Sequence, residues 1–446
     1  MLPKPRIAAV ILSAGESSRF RTGHKALPEP FGGDLLKRSV SALSLAGLAK
    51  PMVVCSPGFP EVIELAESLK ALVLVNPEPG KGMFSSVLTA LNTLRAKKSA
   101  LILPVDAGLV EPDSILSIIS YWQEFGPKKD DLIVLPAFRN KLGHPPIIGK
   151  RRNADIIAFS GDHGLKGAIS SLTRNPAEAR SILSGLVPED RLSDSCLRIK
   201  PLEDPSILTD VDTVEDLERF SSVKSDSGFK PQATPEKALT LLSLVGKPIK
   251  MSHSLAVALG ALRLAVEMGS SGASLAFIGG VLHDLDHGRS NHARAAKKRL
   301  TLLGWTEAAF VVGSHTQLND QLRRRLGLPP GKSFGKGPDP SDRPVEEEVS
   351  PAVFEAAVCV HMADKYLKGP NLVSLDYRFD PINHNITTEE GMATLKRRLF
   401  EAESLEKWFH RRLGQSPRDV IMSPCLHPLE DLAEGVCGQG VGPQLL

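Results

Sequence analysis

IAAVILSAGESSRFRTGHK, residues 7–25, decides how the first half of this chain is read. The apolar, β-branched run Ile7 to Leu12 ends in small residues, which predicts a buried strand rather than a helix. Ser13, Ala14, Gly15, Ser17 and Ser18 follow as a turn. A small-residue turn between a strand and a helix lets backbone N–H groups face outward, where they and the helix end favour an anion such as a phosphate. Arg19 and Lys25 would neutralise its charge. The spacing is neither the Walker A loop nor the dinucleotide GxGxxG.

Outward from this stretch, strand and helix signals alternate. Residues 32–48 carry Leu36, Val40, Leu43 and Leu45 near helical spacing, 51–55 read as a strand, 61–69 as a helix and 71–75 as a strand. Such alternation predicts an α/β, Rossmann-like, mostly parallel doubly wound sheet, with ligands at the carboxyl ends of its strands. A second small-residue loop, Gly80 to Ser86, opens a helix over 85–94. Residues 100–105 form a strand that delivers Asp106 at its end, where a carboxylate either holds Mg2+ against nucleotide phosphates or caps the next turn. Further on stand Gly143-His144-Pro145, Gly161-Asp162-His163-Gly164 and the segment TDVDTVEDL at 209–217. Asp210 and Asp212 alternate on an extended segment, so one of them faces the Asp106 site.

These six segments, in this order over about 215 residues, resemble the MobA-like nucleotidyltransferases, which act on sugar nucleotides and molybdopterin. The resemblance implies attack by an acceptor phosphate on the α-phosphorus of a nucleoside triphosphate, with release of pyrophosphate. By residue, it implies a nucleotide site of Leu12, Ser13, Ala14, Gly15, Lys25, Gly82, Ser85 and Ser86, and an acceptor pocket at Gly143, His144 and Pro145. Mg2+ would sit on Asp106 and Asp210, and Lys25, Arg19 and Asp106 would carry the transfer by charge neutralisation and alignment. The GHP and GDxG segments are similar to those of the molybdopterin cytidylyltransferase branch, which implies CTP as donor, a molybdenum-cofactor acceptor and a molybdenum-dependent hydroxylase as partner. The chain departs from the pattern at Ala107 and Gly108, and by one extra residue between Phe20 and Lys25.

Residues 221–235 are rich in Ser, Lys and Pro without periodicity and read as a linker. The second half is helical. Ser252 is the expected N-cap of a helix carrying His253, a second helix over 273–282 ends at His283-Asp284, and later helices bring His292, His315 and Asp364. This ordered set resembles the all-α HD superfamily of metal-dependent phosphohydrolases. It implies one metal on His253, His283, Asp284 and Asp364, and a second site at His292 and His315, with Asp284 catalytic. Imidazole and carboxylate together suit Mn, Fe, Zn or Co, and one or two such ions would activate water against a phosphate ester or anhydride. Asp286 and His287 either support the ligands from behind or are surface polar residues, and the second reading is preferred. The substrate stays open.

Bulk properties narrow the field. A chain of 446 residues predicts two or three domains, here 1–220, a linker at 221–235, 236–412, and a flexible Pro- and Gly-rich tail at 413–446. The 54 basic and 51 acidic residues nearly balance, which argues against nucleic-acid binding. Five cysteines without paired spacing, together with no signal-peptide pattern, predict a cytoplasmic protein. No apolar run approaches the roughly 18 residues of a membrane span. The Pro-, Gly- and charge-rich stretch 328–351 reads as an insertion. Two other readings remain open: a carrier that binds the finished cofactor without turnover, and a hydrolase whose first half senses nucleotide.

Overall fold

The computed structural model describes residues 5–15, 26, 35–188, 196–211, 228–288, 291–329 and 348–423, divided into two compact units that meet in the sequence near residue 231. In the first unit, β1 (Ile7–Ser13), β2 (Met52–Cys55), β3 (Leu72–Val75) and β4 (Ser99–Pro104) are followed by β5 (Ile133–Phe138), β6 (Lys141–Leu142), β7 (Ile147–Ile148) and β8 (Leu197–Pro201). They form one sheet in the order β3-β2-β1-β4-β7-β5-β6, with β8 paired to β5.

The opening strand is central. β1 pairs in parallel with β2 and β4, so that Val10 aligns with both Met52 and Ile102. The continuous apolar runs of β1, β2, β4 and β5 are buried, as strands covered on both faces require. The two-residue β7 runs antiparallel between β4 and β5. Two residues are too few to leave a periodic signal, and the expected mostly parallel sheet therefore contains an antiparallel insert. Helices Leu35–Leu45, Pro60–Ser68, Met83–Leu94 and Pro112–Glu124 connect the strands, and Leu91 joins Val10, Leu12, Val54 and Ile102 in one apolar core.

The second unit is helical apart from a two-strand hairpin, Leu367–Lys368 with Asn371–Leu372. Its centre is made by helices Pro248–Glu267, Ala273–Leu282 and Pro351–Tyr366, whose Val257, Ala261, Leu264, Ala276, Ala357 and Val360 share a core. Gly280 lets the first two approach: a Cβ there would run into the backbone of Ala258. The first of these helices starts at Pro248, four residues before the expected cap Ser252, because Pro at the first helical position is preorganised for a start.

Residues 417–422, which composition assigns to a flexible tail, form the helix Pro417–Met422. It is held because Val420 and Ile421 are buried and Arg263 Nη1 donates to the Ile421 carbonyl at 2.6 Å. Residues 221–227 of the expected linker, most of the 328–351 insertion and the tail beyond 423 lie outside the described residues. No helix among the described residues is long and apolar enough to cross a membrane.

Candidate functional site

At the carboxyl end of β1, Leu12, Ser13 and Ala14 are buried, so a ligand at this turn would meet their backbone rather than their side chains. A Cβ on Gly15 would meet open space. Arg19 and Lys25, the expected neutralising pair, lie outside the described residues, as does Asp212.

In the second small-residue loop, Gly82 has φ 83° and caps helix Met83–Leu94. Asn76, which ends the segment after β3, donates through Nδ2 to Ser85 Oγ at 2.7 Å and to Ser86 Oγ at 3.0 Å. The Ser85 hydroxyl in turn donates to the Gly82 carbonyl at 2.8 Å. Both serine side chains thus shape the loop, leaving its helix N-terminus as the feature that suits an anion.

Asp106 stands just past β4. One carboxylate oxygen, Oδ1, accepts from the N–H of the next residue, Ala107, at 3.1 Å, but Asp106 lies inside the short turn Val105–Ala107 and Glu111 is the N-cap of the following helix, so Asp106 caps neither. Its carbonyl accepts from the Val211 N–H at 3.0 Å, which brings the closing segment, with Asp210, to the end of β4. The described residues gather no group of three metal ligands here. Two carboxylates are nonetheless a complement that Mg2+ uses when nucleotide phosphates and waters supply the rest.

Gly143 and His144 are fixed against the turn Pro205–Leu208. A Cβ on Gly143 would strike the Ile207 carbonyl oxygen, and the His144 N–H donates to that same oxygen at 2.8 Å. Buried Asp204 holds the turn by accepting from Ser114 and Ser206 hydroxyls at 2.7 and 2.6 Å. Burial lowers the His144 pKa, Asp106 opposes the shift and Lys166 adds to it, so His144 sits within reach of both charges. Its Nδ1 is buried without a partner among the described residues, as expected of a side chain that awaits a polar ligand. Lys166, two residues beyond Gly164, brings positive charge to this site.

The second unit brings together all six of its expected ligands. Asp284 lies between two groups of imidazoles. Its Oδ2 is 4.0 Å from His253 Nε2 and 3.9 Å from His283 Nε2, and its Oδ1 is 3.3 Å from His292 Nε2 and 4.0 Å from His315 Nε2. Asp364 Oδ1 joins the first group, 3.3 Å from His253 and 3.7 Å from His283.

The ring orientations follow from backbone contacts. His283 Nδ1 is 2.7 Å from the Gly280 carbonyl, His315 Nδ1 is 2.6 Å from that of Val312, and His253 Nδ1 is 3.2 Å from that of Gly369. A carbonyl only accepts, so each neutral ring carries its proton on Nδ1 and turns a bare Nε2 lone pair inward. His253 and His283 then face each other Nε2 to Nε2 at 3.3 Å, where opposed lone pairs repel unless a cation lies between them, and His292 Nε2 lies 3.2 Å from that of His315. These residues therefore fit two divalent ions sharing Asp284.

Electrostatics agree. Burial lowers the pKa of His283 and brings that of His315 down to about 3, which keeps both rings neutral and able to ligate. Burial would raise Asp364, but Lys365 above all, together with Arg378, outweighs it and holds the carboxyl well below its usual range.

Sequence reasoning missed the cations around this cage. Lys365 Nζ donates to Asp364 Oδ2 at 2.7 Å and to the His315 carbonyl at 3.0 Å, Arg378 donates to Asp364 Oδ1 at 3.2 Å, and Lys250 lies 3.8 Å from Asp284 Oδ2. Lys250 had a signal, standing three residues before His253 on one helix face; Lys365 directly follows Asp364. Arg378 had none. Asp286 is no surface residue: it pairs with Arg299 at 3.2 Å on the helix that starts at His292.

Comparisons with known proteins match both halves. Residues 9–177 match the model of the MobA-like NTP transferase domain, and residues 251–353 that of the HD domain. A protein of Rhodopirellula baltica (strain DSM 10527 / NCIMB 13988 / SH1) described as a "probable molybdenum cofactor guanylyltransferase" is 31% identical over 121 residues, covering 27% of this chain and 57% of that protein. The chain thus spans little more than half the length of this curated relative. Among solved structures, Rv0371c from Mycobacterium tuberculosis H37Rv is similar at 19% identity, with a TM-score of 0.36, over 49% of this chain and 98% of that one. A nucleotidyl transferase from Methanothermobacter thermautotroptrophicus is similar at 18% identity, with a TM-score of 0.36, over 50% and 97%.

Proposed function

We propose that this chain, which joins a MobA-like NTP transferase domain to an HD domain, is a bifunctional enzyme. The first unit transfers a nucleotidyl group from a nucleoside triphosphate to a phosphorylated acceptor of the molybdenum-cofactor type, and the second hydrolyses a phosphate ester or anhydride. In the transfer, an acceptor phosphate oxygen attacks the α-phosphorus, the bond to the β-phosphate oxygen breaks and pyrophosphate leaves. Arg19 and Lys25 neutralise the triphosphate, Asp106 and Asp210 hold Mg2+, and the Gly143-His144-Pro145 loop orients the acceptor. CTP is the donor expected from the GHP and GDxG segments, while the curated relative's name refers to guanylyl transfer, so both nucleotides belong in any test. A molybdenum-dependent hydroxylase as downstream partner belongs to the same proposal.

In the hydrolase, bound divalent ions would supply an acidified water and neutralise phosphate oxygens. The chain's own part is to present four Nε2 lone pairs and two carboxylates, and to line the approach with Lys250 and Arg378. The observation that carries this reading is Asp284, whose two oxygens face separate pairs of imidazoles.

The test is reciprocal, on the full chain loaded with Mg2+ and Mn2+. Pyrophosphate release from CTP or GTP with molybdopterin should fall by about a hundredfold or more in Asp106→Ala, while phosphate release from p-nitrophenyl phosphate persists; Asp284→Ala should do the reverse. Acceptor binding with no pyrophosphate release would replace the transferase by a carrier. Hydrolysis that responds to CTP or GTP with no transfer would make the first unit a sensor.

A further inference from the structure

The cavity that holds the Asp284 cage measures about 520 Å³ and extends well beyond the ligands. Its remaining wall includes Lys250, Lys368, Arg378 and Arg398, and among the described residues the carboxylates lining it are Asp284 and Asp364. A volume of this order suits a small organic molecule rather than a bare phosphate.

The basic residues divide into two sets. Lys250 and Arg378 lie against the ligand carboxylates. Lys368 and Arg398 have no carboxylate partner among the described residues; Lys368 lies over the Tyr377 ring, 5.0 Å from its centre. Arg398 stands on the exposed side of helix Glu389–Leu413, where it lines this cavity and also a second hollow of about 280 Å³. His384 and Leu395 are likewise common to both cavities, so the hollow continues the first one. Beyond Arg398 its wall is mixed: Ile386 and Leu395 are apolar, Thr388 and Thr394 carry hydroxyls, and Glu390 accepts hydrogen bonds. A wall of that kind suits a neutral, flat group with polar edges, such as a nucleoside.

Resting on the phosphohydrolase reading of this site, we propose that its substrate is a nucleoside diphosphate. The terminal phosphate lies at the Asp284 cage, the inner phosphate on Arg398 and Lys368, and the nucleoside in the adjoining hollow, which makes Arg398 a specificity-determining residue. Water attacks the terminal phosphorus, the bond from that phosphorus to the bridging oxygen breaks, and the electron pair stays on that oxygen. The water's proton passes to solvent. The products are inorganic phosphate and a nucleoside monophosphate.

The test uses the full chain loaded with Mn2+ and follows phosphate release from cytidine and guanosine 5′-diphosphates against p-nitrophenyl phosphate. The diphosphates should be preferred at least about tenfold in kcat/KM. Arg398→Ala should cut that preference about tenfold, chiefly through KM, and raise the inhibition constant of an α,β-methylene nucleoside diphosphate to match, with Arg398→Lys intermediate. Metal per chain, read by elemental analysis, should equal that of wild type in both variants, which separates lost recognition from a damaged cage. Equal use of diphosphates and p-nitrophenyl phosphate, or equal loss on both in Arg398→Ala, overturns the substrate assignment while leaving the hydrolase standing. No phosphate from any of these compounds by metal-loaded protein overturns the hydrolase reading and this inference with it.

Discussion

The two sites differ in how much of the ligand shell the chain supplies. In the first unit the described residues offer a carboxylate, Asp106, partly spent on the Ala107 N–H, with His144 and Lys166 nearby, and a helix N-terminus at Gly82. Around Asp284 they offer four imidazoles and a second carboxylate, with three rings locked by backbone carbonyls. The contrast matches what the proposed ligands would bring. A nucleoside triphosphate would carry its own oxygens for Mg2+, so its site would need mainly backbone and a few charges. A transition-metal pair would have to be held before any substrate arrives, which takes preoriented nitrogen donors.

The sharpest way to break this contrast is to remove the shared carboxylate. Asp284→Ala should reduce bound transition metal from about two per chain to well under one, because both groups lose a ligand at once. Elemental analysis beside wild type reads this directly, and a variant that keeps both ions would mean that the imidazoles alone hold them. A smaller effect is expected where the first site depends on backbone. Gly143→Ala pushes a Cβ into the Ile207 carbonyl and should destabilise the first unit by roughly 1–3 kcal/mol. Denaturant unfolding measures it, and metal content should stay at the wild-type value; an unchanged midpoint would show that the 205–208 turn yields easily.

The smallest effect concerns the rings that are not ligands. His361 is buried beside the cage, and burial, followed by Lys365, holds its pKa well below the usual imidazole range. It is neutral when folded and takes up a proton below about pH 6.5 when unfolded. The stability it contributes is therefore fully present above that pH and is lost as pH falls from there toward the depressed folded value, at up to about 1.4 kcal/mol per pH unit. In chelator-treated protein, thermal midpoints between pH 7 and 5 should fall less steeply for His361→Gln than for wild type; equal slopes would assign the acid sensitivity to the other buried rings.

How much of this was legible in the sequence depends on the kind of signal each feature leaves. The β1 run and the helix at 83–94 follow from apolar periodicity and small-residue starts, and they stand within two residues of expectation. The six side chains that the structure gathers around Asp284 were legible because each is a chemically distinctive residue on a helix or just past its end. The cationic lining was not. Lys368, Arg378 and Arg398 come from a hairpin, a one-turn helix and the face of a long helix, and nothing in their spacing distinguishes them from solvated charge. Asp286 was misread for the same reason, since its partner Arg299 lies 13 residues away on another element. The tail helix depended on two apolar residues, Val420 and Ile421, inside a stretch whose composition suggests none.

Gly280 performs two tasks with one residue: lacking a side chain it admits the helix that carries His253, and its carbonyl fixes the proton of His283. The spacing of two ligands and the tautomer of one of them are thus tied to a single docking event between neighbouring helices. The pairing of His253 with His283 therefore forms as one event rather than piecemeal. If the proposed ions bind there, their uptake during refolding should report the moment when those helices close on each other.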